Sequence, residues 1–300
     1  MSPSSALDLA LGSLYLVASL LGTVGNIVAF LFYLSRSRSH GDLSTSLYLA
    51  VTLTDTLICL LFLPSSLAYL SLHRSPGPLF SHRVSCAAWT YAWYILLRLS
   101  IWWVLCLTLT RTSRILRPLR AGSSGRIVAL ASALFTTLLL VQCGAYVTLP
   151  VVTGTYFPER AACALYVTNN ASTGAVITLM EWSNVVFFPV PVVVVMTTVV
   201  VSVRKLGQGP RVGIKDRASV TILLFGCVYL LCNIPCMVLW VVQKCDRSLG
   251  ILAWDTQGVV MTFVWSGSIC INSTVNPVLY AWRVTGFRRW ITGSREVSRR

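Results

Sequence analysis

The sequence predicts an all-α membrane protein, a single domain over residues 1–300 built as a seven-transmembrane helix bundle. Three observations predict it. Only 11% of the residues are charged while 55% are hydrophobic, with a mean hydropathy of +0.73. A water-soluble domain carries roughly 25% charged residues, so this chain lacks the polar surface to coat a soluble particle. Seven apolar runs reach the ~20 residues that a helix needs to cross hydrocarbon. The cations fall in short clusters between those runs.

The expected spans are about 9–34, 44–70, 84–110, 126–150, 174–203, 218–242 and 250–282. The connections are short, without repeats, low-complexity tracts or room for a second domain. Residues Met1 to Asp8 lack the basic start and small-residue cleavage site of a signal peptide. The first apolar run is therefore expected to remain in the protein. The net charge of +15 does not form a basic face on a folded domain, so no nucleic-acid partner is expected.

Counting Lys and Arg orients the chain. Eighteen of the 24 cations lie in one set of loops, from Arg36 and Arg38 through Arg111–Arg126 and Arg204–Arg217 to the six arginines from Arg283 to the end. Five lie in the opposite set, and Arg98 lies inside a helix. The bias places the N-terminus outside and the C-terminus in the cytoplasm. Asn170-Ala171-Ser172 then falls on the outside, as a glycosylation acceptor must. Asn272-Ser273-Thr274 has the same form but lies mid-helix, out of reach of that machinery.

Polar groups in hydrocarbon are costly and usually face a bundle interior. Asn26, Asp55, Arg98, Ser100, Asn233, Asn272, Ser273 and Asn276 are such groups. Residues 272, 273 and 276 share one helix face by their spacing. A membrane Asp needs a bound cation, a proton or hydrogen-bonding neighbours. Interhelical hydrogen bonding alone is the plainer account of Asn26. Pro64, Pro189, Pro191, Pro235 and Pro277 interrupt four of the runs and should kink them. Of the ten cysteines, most sit inside apolar runs and act as small hydrophobes; Cys86, Cys163 and Cys245 fall in or near loops and are disulfide candidates. No paired Cys-x-x-Cys or His cluster suggests zinc. The three histidines, His40, His73 and His82, lie in loops. No Ser/His/Asp set lies in the membrane, so an enzyme is not expected.

These residues resemble the class A, rhodopsin-like G-protein-coupled receptors, from Gly25 to Arg289. Asn272-Ser273-Thr274-Val275-Asn276-Pro277-Val278-Leu279-Tyr280 looks like the Asn-Pro-x-x-Tyr end of the family's seventh helix. Phe287-Arg288 follows as at the start of its short amphipathic eighth helix, expected over about 284–292. Gly25-Asn26 matches the first helix, and Leu49-Ala50 before Asp55 is close to the second. Cys86 and Arg111 lie 25 residues apart, about 37 Å of helix, as do the Cys and the Asp-Arg-Tyr arginine of the family. Ile115 and Pro118 fall where its second inner loop has an Ile and a Pro. The resemblance implies a disulfide between Cys86 and Cys163, a sodium pocket of Asp55, Ser100, Asn272, Ser273 and Asn276, and coupling of an extracellular ligand to a heterotrimeric G protein. No other cofactor is implied.

The chain also departs from the family. Asp-Arg-Tyr reads Thr110-Arg111-Thr112, so Arg111 lacks its adjacent carboxylate. Cys-Trp-x-Pro reads Cys232-Asn233-Ile234-Pro235, so the toggle Trp is missing. Tyr229 replaces a Phe, the fourth helix lacks its usual Trp, and Lys215 stands where some members have an acid. The family's Asp pairs with the Arg in the resting state, so its loss implies elevated ligand-independent activity. Loss of the toggle instead suggests a signalling-silent or decoy receptor. A transporter or channel would show repeats or discontinuous helices, and neither is visible.

Trp93 stands at the position of the family's aminergic Asp, and Cys270 at that of its retinal Lys, so the resemblance implies neither a monoamine ligand nor a conventional opsin. The expected ligand pocket is Trp93, Tyr94, Leu97, Arg98, Glu181, Trp240 and Trp265 near the outer halves of the helices. Glu181 and Asp255 either attract a basic ligand or are solvated at the interface. The Asn-Ser-x-x-Asn-Pro form is frequent among peptide receptors, so a peptide is favoured over a small molecule. The short basic tail, with Thr292, Ser294 and Ser298 as its phosphoacceptors, predicts weak arrestin engagement and contact with anionic membrane lipid.

Overall fold

The computed structural model describes residues 3–39, 43–70, 83–116, 124–153, 155–156, 165–166, 188–207, 224–238, 241–242, 254–283 and 285–292. Seven long helices and a short eighth account for nearly all of them. They are α1 (Pro3–Ser39), α2 (Leu43–Leu70), α3 (Arg83–Leu116), α4 (Ser124–Thr153), α5 (Pro189–Gly207), α6 (Leu224–Val238), α7 (Trp254–Arg283) and α8 (Thr285–Thr292). Several run past the apolar stretch that predicts them. Thus α1 opens at Pro3, whose fixed φ suits a first helical turn. It closes with Arg36 and Arg38 in its last turn, where cations oppose the helix dipole. The expected spans 174–203 and 218–242 lie partly outside the described residues.

Between α4 and α5 two short strands, β1 (Thr155–Tyr156) and β2 (Leu165–Tyr166), pair antiparallel with Thr155 opposite Tyr166 and Tyr156 opposite Leu165. The all-helical expectation did not include this pair.

The surface is reversed relative to a soluble protein. Leu21, Val24, Leu130, Val141 and Leu231 are at least 63% exposed, while Asn26, Asp55 and Ser273 are fully buried. Such a particle is at rest only in hydrocarbon. Helix α1 packs on α2 and α7, α2 on α3 and α7, and α3 on α4 and α5. One apolar core joins α2, α3, α5, α6 and α7 around Ile58, Ile101, Val195 and Tyr229. A second, toward the end that carries α8, is aromatic: Tyr33 stacks on Tyr48 at 4.7 Å, and Tyr280 meets both edge-on. Phe287 of α8 inserts here against Phe32 at 5.2 Å.

One contact explains the first helix. Pro277 cannot donate to the Ser273 carbonyl four residues back. The Asn26 amide nitrogen donates to that carbonyl instead, at 2.9 Å. For this to happen α1 must lie close against α7. A Cβ on Gly25 would stand 2.7 Å from Pro277 Cβ, closer than any real Cβ tolerates. Glycine at 25 permits the approach, the proline frees the acceptor, and the asparagine fills it.

Candidate functional site

The site is built around the Asp55 carboxylate, which is wholly buried mid-way along α2. Ser100 of α3 donates to Oδ1 at 3.2 Å, and Ser273 of α7 donates to the same oxygen at 3.0 Å. Asn276 Nδ2 donates to Oδ2 at 2.6 Å. Three donors from two neighbouring helices thus surround one acid. Hydrogen bonds to a charged group are worth about 1.5–3 kcal/mol each, and together they offset much of the cost of a carboxylate in hydrocarbon. Asn272, also buried at 7%, is not among the donors to Asp55. The side-chain oxygen of Asn26, one contact away through Ser273, is buried without a partner.

The other described residues singled out for activation lie on α3, α6 and α7. Asn233 on α6 donates to the Tyr229 carbonyl of its own helix at 2.8 Å. The Tyr229 and Tyr280 hydroxyls are buried with no hydrogen-bond partner. Pro235 faces outward on α6, and Pro277 is buried in α7. At the foot of α3, Thr110 is 3% exposed and its hydroxyl donates to the Cys106 carbonyl at 2.6 Å. Thr112 shares a hydrogen bond of 2.9 Å with Ser202 of α5. Neither threonine brings a charge to Arg111, which lies between them on the helix. The side chain of Arg111 and the whole of Pro118 lie outside the described residues.

The expected ligand residues on α3 divide between two faces. Trp93 meets Phe62 of α2 edge-on at 4.7 Å, and Leu97, one turn on, is buried in the central core. Arg98, 6% exposed, points the other way and donates to Gln142 of α4 at 2.9 Å. One turn further, Trp102 stacks on Phe135 of α4 at 4.0 Å and donates from its indole nitrogen to Ser132 at 3.2 Å. Gln142, Ser132 and Ser202 did not stand out in the sequence; a Gln inside the apolar run of α4 was the available signal. The side chains of Tyr94 and Trp265, and the whole of Glu181 and Trp240, lie outside the described residues. So do the Cys86 side chain, Cys163 and Asn170. Among the described residues no cluster of three His, Cys, Asp or Glu side chains forms a transition-metal site.

A bundle of apolar helices with one acid held at its centre, and a ninth of its residues charged, defines a polytopic membrane protein. The family model of the 7 transmembrane receptor (rhodopsin family) matches residues 25–280. The chain belongs to this family. The human uracil nucleotide/cysteinyl leukotriene receptor is 23% identical over 294 residues, which is 94% of this chain and 75% of that receptor. Its rat counterpart is 24% identical over 288 residues, 91% of this chain and 79% of the relative. The protein is thus a multi-pass plasma-membrane receptor of the G-protein-coupled class, with a G protein and an extracellular ligand as its partners. The family match sets aside the transporter and channel readings.

Proposed function

We propose that this receptor activates heterotrimeric G proteins without ligand, and that a sodium ion at Asp55 restrains it. The N-terminus is outside and the C-terminus in the cytoplasm. The observation that carries the proposal is the buried Asp55 with hydroxyl and amide neighbours on two other helices. Sodium is a hard cation that takes oxygen ligands, and the Asp55 carboxylate with the Ser100 and Ser273 hydroxyls beside it supplies them, with the buried amides of Asn272 and Asn276 near by on α7. The ion would supply the positive charge that a buried carboxylate otherwise lacks. Because it ties α2, α3 and α7 together, it favours the packed arrangement described above. The second support is Thr110-Arg111-Thr112. With the Thr110 hydroxyl committed to its own helix, no neighbouring acid on α3 holds Arg111 in the resting arrangement.

For the ligand, two readings have support. The Asn272-Ser273-x-x-Asn276-Pro277 form favours a peptide. The relatives are named for a uracil nucleotide and a cysteinyl leukotriene, both small and anionic, and Arg98 places a permanent cation inside the bundle, 6% exposed. The small anion is the better supported of the two, because a cation within a helix bundle is a candidate binding group, here with Gln142 of α4 as its acceptor in the resting bundle. Peptide, nucleotide and lipid-acid panels on one reporter separate them.

The experiment for the central reading compares basal signalling in sodium with that in an equal concentration of an organic cation. Basal signalling is expected to rise when sodium is withdrawn. Signalling indifferent to the exchange would overturn the sodium role.

A further inference from the structure

Gly226 lies buried on α6, nine residues before Pro235 and beside Phe225, whose ring meets Tyr280 of α7 at 5.0 Å. A Cβ at Gly226 would stand 2.5 Å from Val199 Cγ2 on α5, 3.7 Å from Thr108 Cγ2 on α3 and 3.9 Å from Val195 Cγ1. The bare backbone of α6 therefore rests directly on a branched side chain of α5. Glycine within a helix costs about 0.5–1 kcal/mol relative to alanine, so its presence in a helix interior calls for a reason. Here the reason is approach: in membranes small residues let helix backbones come close enough for dispersion contacts to hold them. Val199 is stiff at χ1 and cannot fold out of the way as a long side chain would. Pro235, two and a half turns along, lacks the amide that would tie it to the carbonyl of Leu231. The part of α6 before Pro235 is thus joined to the rest of the helix more weakly than an unbroken helix would be.

We infer that Gly226 is the positioning residue that lets the cytoplasmic half of α6 close against α5, and that any side chain there shifts the receptor toward the open, G-protein-accepting arrangement. The inference rests on the orientation and coupling proposed above. A methyl group at 226 cannot share space with Val199, so α6 must move outward, and the cleft between α3, α5 and α6 widens. Removing the Val199 methyls re-creates the space and lets α6 return.

The test uses the full chain in cells and in purified form, with Gly226→Ala and the pair Val199→Ala/Gly226→Ala. Two readouts are taken at matched surface expression. One is basal G-protein activation. The other is the distance between spin labels at the exposed position Ser113 on α3 and the exposed Cys227 on α6. For G226A we expect a lengthened distance and basal activation raised roughly threefold or more; the pair is expected to return both to wild-type values. An unchanged or shortened distance in G226A overturns the inference, even where wild type signals normally. A lengthened distance that the pair reverses upholds it even where no variant activates a G protein, and that result would count instead against the coupling proposal. Should G226A fail to reach the surface, the pair decides. A pair that reaches the surface with wild-type distance upholds the steric account, and a pair as defective as G226A overturns it.

Discussion

Asp55→Asn is expected to abolish the response of the receptor to sodium. The amide keeps the shape of the site and accepts from Ser100 or Ser273 through its one oxygen, but it carries no charge to hold a cation. A ligand present at ten times its dissociation constant stabilises the state it prefers by about 1.4 kcal/mol. That shifts a two-state ratio about tenfold. Basal signalling of the variant in sodium is therefore expected to match that of wild type without sodium. The change is large because one carboxylate carries the whole charge of the site. Agonist-free reporter assays in sodium and in an organic cation measure it. A variant that keeps the wild-type sodium response would show that the ion acts elsewhere.

Thr110→Asp is expected to act in the opposite direction and lower ligand-independent activity. Thr110 is buried at 3%, with its hydroxyl turned to the Cys106 carbonyl. An aspartate cannot make that bond and must find a donor, and the nearest permanent cation along the chain is Arg111. Even where solvent screens it, an ion pair is worth up to about 1 kcal/mol. If it forms only in the resting arrangement, that energy lowers the active fraction about fivefold. The comparison requires equal surface expression, since a new buried acid also taxes folding. Basal activity that stays level or rises would show that the missing carboxylate is not what releases the receptor.

The parts of this molecule that the sequence made legible are those that hydrocarbon imposes. Runs such as Leu9–Leu34 and Ser44–Leu70 announce helices because an apolar solvent leaves the backbone no other partner. The polar groups Asp55, Ser100, Ser273 and Asn276 stood out against that background, and the fold brings the last three within hydrogen-bond distance of the first. Which side of each helix faces inward was much less legible. In water an apolar stripe marks the core, but lipid is as apolar as leucine, so α4 is hydrophobic all round. The contact of Arg98 with Gln142 and the Trp102–Phe135 stack were hidden for that reason. Glycine says little by itself: Gly25 showed only through its place beside Asn26 in the resemblance and Gly226 not at all, because both matter through what lies opposite, Pro277 and Val199, and neither neighbour is near in sequence. The β1–β2 pair was missed because two-residue strands leave no periodicity to read.

The most direct test of the account is basal G-protein activation across the main G-protein subtypes, wild type against Arg111→Ala at equal surface expression. The account predicts ligand-independent signal from wild type in at least one subtype, and its loss in the variant. Vector-level signal from a well-expressed wild type, in every subtype and without sodium, would contradict it and leave a silent or decoy receptor in its place.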